Sequence, residues 1–162
     1  MESRVKLLGH PVHPMLIVLP LGLFVAAVVF DAIFLGGGAS ALAGVGYWNI
    51  AAGIIGGLLA AVFGLIDWLA IPDGTRAKRI GLFHAGANVV AIVGFAMVWW
   101  MRYRAVDVSP TPGLFAIEVI ALAIGAVGGW LGGELVDRLG VGVDNGANLN
   151  APNSMTDRPR AA

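Results

Sequence analysis

The chain has 162 residues, 58% of them hydrophobic and 12% charged, and its formal charges cancel. A soluble domain carries about 25% charged residues, so this chain has too little polar surface to face water, and its neutrality leaves no electrostatic footprint for nucleic acid. It contains no cysteine, which excludes disulfides, thiolate zinc or iron–sulfur sites, C-x-x-C-H haem attachment and a cysteine nucleophile.

A membrane helix needs about 20 apolar residues. Four runs meet that length, at 13–35, 46–71, 80–101 and 113–136. They predict an all-α fold, an integral membrane four-helix up-and-down bundle over 1–143, followed by a disordered polar tail over 144–162.

The first run opens on Gly9-His10-Pro11-Val12-His13-Pro14 and stops at Gly36-Gly37-Gly38. It is too long for the core of a signal peptide and has no short basic segment before it, so it is expected to be retained. Proline restricts the residue before it to extended backbone, which predicts a stiff, partly non-helical entry at His10 and His13. Pro20 is expected to kink the helix and free a carbonyl. The second run carries Gly53-x-x-x-Gly57 and Gly64, and ends on Asp67-Trp68 before Ile71-Pro72-Asp73-Gly74. Arg76, Lys78 and Arg79 precede the third run, which has His84 near its start and Asn88 one turn later on the same face. In the fourth, Pro112 is placed to open a helix. Gly125, Gly129 and Gly133 follow at four-residue spacing, with Glu134 and Asp137 at the end. Small residues on one face allow close helix packing in lipid, or association between copies of the chain. Tyr47, Trp48, Trp68, Trp99, Trp100, Tyr103 and Trp130 lie at the boundaries, as an interfacial aromatic belt requires.

Positive residues set the expected orientation. Arg4, Lys6, Arg76, Lys78, Arg79 and Arg138 fall on one side, against Arg102 and Arg104 on the other. The positive-inside bias predicts that both termini lie in the cytoplasm.

The same topology sorts the polar residues into two layers. One holds His10, His13, Asp67, His84, Asn88, Glu134 and Asp137, and so every histidine of the chain. The other holds Asp31, Asn49, Arg102, Arg104 and Glu118 and has no histidine. Asp31 and Glu118 lie inside their helices, where charge is costly, and are expected to pair with Arg102 or Arg104. No ionisable relay sits midway along a helix, which argues against a pump or channel. Each half of the chain is a helical hairpin that opens on histidine and closes on carboxylate. Such a parallel repeat would relate His13 and His84 by an axis along the membrane normal, facing each other across the bundle.

Together, the G-H-P-x-H-P opening, Asp67-Trp68, His84 with Asn88, Gly132-Gly133-Glu134-Leu135-Val136 and Gly140-Val141-Gly142-Val143 resemble a bacterial family of small four-helix membrane proteins, catalogued as a conserved domain of unknown function. The resemblance covers about residues 5–143. It implies a redox role, since some relatives are joined to Rieske or cytochrome domains. Relatives often carry a histidine near the end of the fourth helix, where this chain has Asp137-Arg138-Leu139-Gly140.

Imidazole is a common transition-metal and haem axial ligand. The leading expectation is therefore b-type haem between His13 and His84, with His10 either an alternative ligand or a residue supporting the ligands from behind. Asp67, Asn88 and Glu134 would orient the imidazoles, and redox proteins would be the partners. The alternative is zinc or copper held by His10, His13, His84 and one of Asp67 or Glu134. A third possibility is a structural or partner-binding membrane protein with no cofactor. Ser3, Ser40, Ser109 and Ser154 all lie in loops or tails, so the chain offers no nucleophile–base pair for an enzyme.

Overall fold

Leu8 and Gly9 both take positive φ, at 50° and 84°. Across them Lys6–Leu7 (β1) pairs antiparallel with His10–Pro11 (β2), Lys6 opposite Pro11 and Leu7 opposite His10. Two left-handed residues between paired strands form the tight hairpin turn whose twist matches the strands. The computed structural model describes residues 1–155.

The hairpin feeds the first span, which is broken in two. α1 runs Val12–Leu16 and α2 runs Val18–Leu35, with Ile17 between them. The break follows from Pro20, which has no N–H to return to the Leu16 carbonyl. His13 belongs to the first helical turn rather than to an extended entry. Pro14 is tolerated beside it because first-turn N–H groups have no intrahelical partner to lose. Only His10 is extended.

α3 spans Ala41–Leu69 and begins ahead of the expected Gly46, because Ala41, Leu42 and Ala43 are themselves strong helix formers. α4 spans Arg76–Tyr103 and begins ahead of Ile80. Thr75 caps it, accepting the Lys78 N–H at 3.1 Å, so Arg76, Lys78 and Arg79 lie in its first turn. α5 spans Pro112–Gly133, with Thr111 accepting the Leu114 N–H at 3.3 Å and Pro112 in the first turn. One π-helical turn, Glu134–Arg138, completes the last span.

Four spans, Val12–Leu35, Ala41–Leu69, Arg76–Tyr103 and Pro112–Arg138, are long and apolar enough to cross a membrane. Their outward faces carry exposed Val18, Leu58, Val93 and Trp130, which lipid would cover. An even number of spans returns both termini to one face. α3 packs on α2 and α4, and α5 on α4 and α2, so α2 and α4 stand diagonally. The buried centre is Phe24, Ala27, Ile50, Phe95, Val98 and Ala121.

The glycines divide by face. A Cβ at Gly53 would come 2.6 Å from Phe24, and one at Gly57 2.9 Å from Ile92, so both allow close packing as expected. In α5 the packed face is Gly125, Gly128 and Gly132. Gly129 and Gly133, expected on it, look into open space. At 3.6 residues per turn, positions 125, 128 and 132 lie on one stripe, while 129 and 133 are rotated away from it.

The terminal face is tied together by the chain ends. The Met1 ammonium donates to the Gly140 carbonyl at 2.7 Å, and the Gly142 N–H to the Met1 carbonyl at 2.8 Å. Lys6 bonds Glu2 and holds its carboxyl below the usual carboxylate range. Residues 144–155, expected as part of the disordered tail, run in turns without helix or strand. They meet the hairpin where Lys6 pairs with Asp144 and Ser154 lies against His10. The rest of that tail, 156–162, lies outside the described residues.

Candidate functional site at the imidazole pair

His13 and His84 are half-buried and meet across the bundle near the terminal face, with ring centroids 6.1 Å apart and planes at 84°. Each is held the same way. His13 Nδ1 lies 2.8 Å from the Ala60 carbonyl of α3, and His84 Nδ1 lies 2.8 Å from the Gly128 carbonyl of α5. A carbonyl only accepts, so both Nδ1 atoms are protonated donors. In the neutral ring that leaves Nε2 with a free lone pair. Neither Nε2 is hydrogen-bonded by a described residue.

Glycine makes room for each ring, four residues beyond the accepting carbonyl. A Cβ at Gly64 would fall 2.8 Å from His13 Cε1, and one at Gly132 3.1 Å from His84 Cε1. These pairings expose a repeat that is faint in the residues themselves. Asp31 and Arg102 are 71 residues apart, as are His13 and His84, and Phe24 and Phe95. All three pairs touch across the same diagonal: imidazoles at one end, stacked phenyls in the middle, an ion pair at the other. The two hairpins are thus related by a pseudo-two-fold axis along the bundle.

Asn88 stands beside the pair. Its Nδ2 donates to the His84 carbonyl at 2.8 Å and lies 3.4 Å from His84 Nδ1. It fills the space left by Gly128, where a Cβ would come within 2.7 Å of it.

The other expected ligands are elsewhere. His10 is exposed, with Nε2 3.3 Å from Ser154 Oγ. Asp67 accepts from Ser3 Oγ at 2.7 and 2.9 Å and from the Arg4 N–H at 2.7 Å, fastening the N-terminus to α3. Glu134 pairs with Arg76 and ties α5 to the start of α4. Among the described residues no three His, Asp or Glu side chains are placed to share an ion. The set of His10, His13, His84 and Asp67 or Glu134 is therefore not assembled, because helix-end tethering uses both carboxylates. Trp68 is also structural: its Nε1 donates to the Lys78 carbonyl at 3.0 Å, and the Lys78 ammonium sits 4.2 Å from its ring centroid.

The imidazole pair lies within a stretch that matches a known family. Residues 9–145 match the family model described as Predicted membrane protein (DUF2231). The chain belongs to the DUF2231 family. The match takes in both imidazoles, their carbonyl partners and both clearing glycines. No curated protein and no solved structure matches the chain.

Both imidazoles are evident in the sequence, but what holds them is not. Ala60 and Gly128 act through backbone carbonyls, which side-chain identity does not encode. Gly64 and Gly132 carried a weak signal, separated by the same interval as Ala60 and Gly128. At the far end Arg102 pairs with both Asp31 and Glu118, while Arg104 lies over Trp100.

Proposed function

We propose that this DUF2231 protein is a membrane electron-transfer protein that holds one b-type haem between His13 and His84. The observation that carries this reading is the matched anchoring of two imidazoles, with each Nδ1–H on a helix carbonyl and each Nε2 left as a ligand atom. A hydrogen bond at the far ring nitrogen fixes tautomer and orientation, as it does for metal-bound histidines generally. With ring centroids 6.1 Å apart, His13 and His84 would hold the group between them.

The number of donors favours haem over a bare ion. Zinc sites draw three or four ligands from the protein, and only two imidazoles meet here. Haem would bring most of its own donors, and His13 and His84 would supply the protein's share. Bound haem would supply one-electron chemistry at its iron. The chain's own part is to hold two neutral imidazoles rigidly, with Gly64 and Gly132 clearing their seats and Asn88 steadying His84. In this reading the membrane is a bacterial inner membrane, and the positive-inside bias supports a pair near its cytoplasmic face, within reach of redox partner proteins.

The test is the visible spectrum of protein purified from cells supplied with haem. Sharp α and β bands are expected on reduction, from a low-spin bis-imidazole iron. His13→Ala and His84→Ala should each abolish or convert them, while His10→Ala should leave them unchanged. Asn88→Ala should shift the potential or lower occupancy. A colourless preparation that carries stoichiometric zinc or copper, or no metal, overturns the haem reading.

A further inference from the structure

At the end of the bundle away from the chain termini, three ionisable side chains are shut in together. Asp31 of α2, Arg102 of α4 and Glu118 of α5 each have 0% of their surface exposed. The guanidinium is saturated. Its Nε donates to the Val108 carbonyl at 2.7 Å and Nη2 to the Ala43 carbonyl at 2.8 Å and Asp31 Oδ1 at 3.3 Å. Nη1 serves both carboxyls, Asp31 Oδ2 and Glu118 Oε1. The same nitrogen thus holds the two acids side by side, and Glu118 Oε2 is buried with no hydrogen-bond partner.

The charges do not balance. One guanidinium faces two carboxyls, and among the described residues no other group here brings a second cation. α3 contributes the Ala43 carbonyl and the uncharged ring of Tyr47, which Arg102 overlies at 5.9 Å. α4 contributes Trp99, stacked on Tyr47 at 5.6 Å, and Tyr103, stacked on Trp99 at 5.9 Å. Arg104 is turned to Trp100. An uncompensated charge in a site closed to water costs several kcal/mol, and two adjacent carboxyls avoid that cost by sharing one proton.

We propose that Asp31 and Glu118 hold a single proton between them beneath Arg102, making this set a buried proton-binding site that is neutral as a whole. The unpartnered Oε2 is then one face of a carboxylic acid rather than a bare anion. The proton depends on both acids. Neutralising either one leaves a single carboxylate matched to Arg102, and the proton is no longer needed. The site is independent of the imidazole pair, from which the Phe24–Phe95 stack separates it along the axis.

The experiment is infrared spectroscopy of the full chain in lipid nanodiscs at neutral pH. Wild type should show one buried carboxylic-acid C=O band that shifts in D2O. Glu118→Gln and Asp31→Asn, both isosteric, should each lose it while circular dichroism stays helical. Absence of the band in wild type overturns the proposal. So does its survival in Asp31→Asn, which would mean an acid protonated on its own account. Should Asp31→Asn fail to fold, the smaller Asp31→Ser is read in its place: loss of the band supports the shared proton and persistence overturns it.

Discussion

Phe24 and Phe95 lie face to face at the centre of the bundle, centroids 4.0 Å apart and planes within 1° of parallel. They come from helices that stand diagonally, so they join the two hairpins where the backbones do not meet. Phe24→Ala should open a cavity on the axis. Lipid is as apolar as this core, so the usual transfer term is absent. The expected loss is the cavity and contact term, about 2 kcal/mol. Denaturation of the purified protein in mixed micelles measures it; an unchanged midpoint would mean the stack contributes nothing.

Gly64 and Gly129 should behave oppositely. Gly64→Ala places a methyl 2.8 Å from the His13 ring, in a seat that Ala60 and Gly64 shape together. Overpacking of that kind costs about 1–3 kcal/mol. Gly129→Ala points into open space, and in an exposed helix position it should gain up to about 1 kcal/mol through helix propensity. Thermal melts of the two variants side by side check the assignment of faces in α3 and α5. Equal destabilisation would mean that Gly129 packs against something, such as a second copy.

Arg102 is the residue whose loss the fold should tolerate least. Arg102→Met leaves two carboxyls buried without their cation, a change that costs about 3–5 kcal/mol when one partner of a buried pair is removed. Adding Asp31→Asn and Glu118→Gln to the same chain should recover most of that loss, because uncharged amides no longer need the guanidinium. Yield of folded protein and its melting point read both steps, and a triple variant no better than Arg102→Met would show that Arg102 acts through its bonds to Ala43 and Val108 instead.

Both termini should face the cytoplasm. The terminal face carries Arg4, Lys6, Arg76, Lys78, Arg79 and Arg138, and the opposite face only Arg102 and Arg104. The fold sharpens this contrast, since Arg102 is withdrawn into a buried ion pair and, among the described residues, Arg104 is the exposed positive charge left there. A reporter that works only outside the cytoplasm, fused after Ala162, should be silent. A signal from it would reverse the orientation and move the imidazole pair to the other side.

Four spans and their order were legible in the residues because lipid imposes a simple length and polarity rule, which Gly36-Gly37-Gly38 and Pro110-Thr111-Pro112 punctuate plainly. Both imidazoles were legible too, because an up-and-down bundle of four spans assigns each helix end to a face. The start of α3 at Ala41 was not, since alanine and leucine extend a helix past any apolar window. Nor was the helical state of His13, where first-turn geometry outweighs the bias imposed by Pro14. Composition and period thus determined the class, the spans and the two polar layers. Tertiary structure alone decided that Arg102 and not Arg104 takes the acids, that His10, Asp67 and Glu134 stand away from the imidazoles, and that Gly132 rather than Gly129 faces His84. Those choices turn on helix rotation and on which backbone carbonyl lies opposite a ring nitrogen, and both are set by packing between helices far apart in the chain.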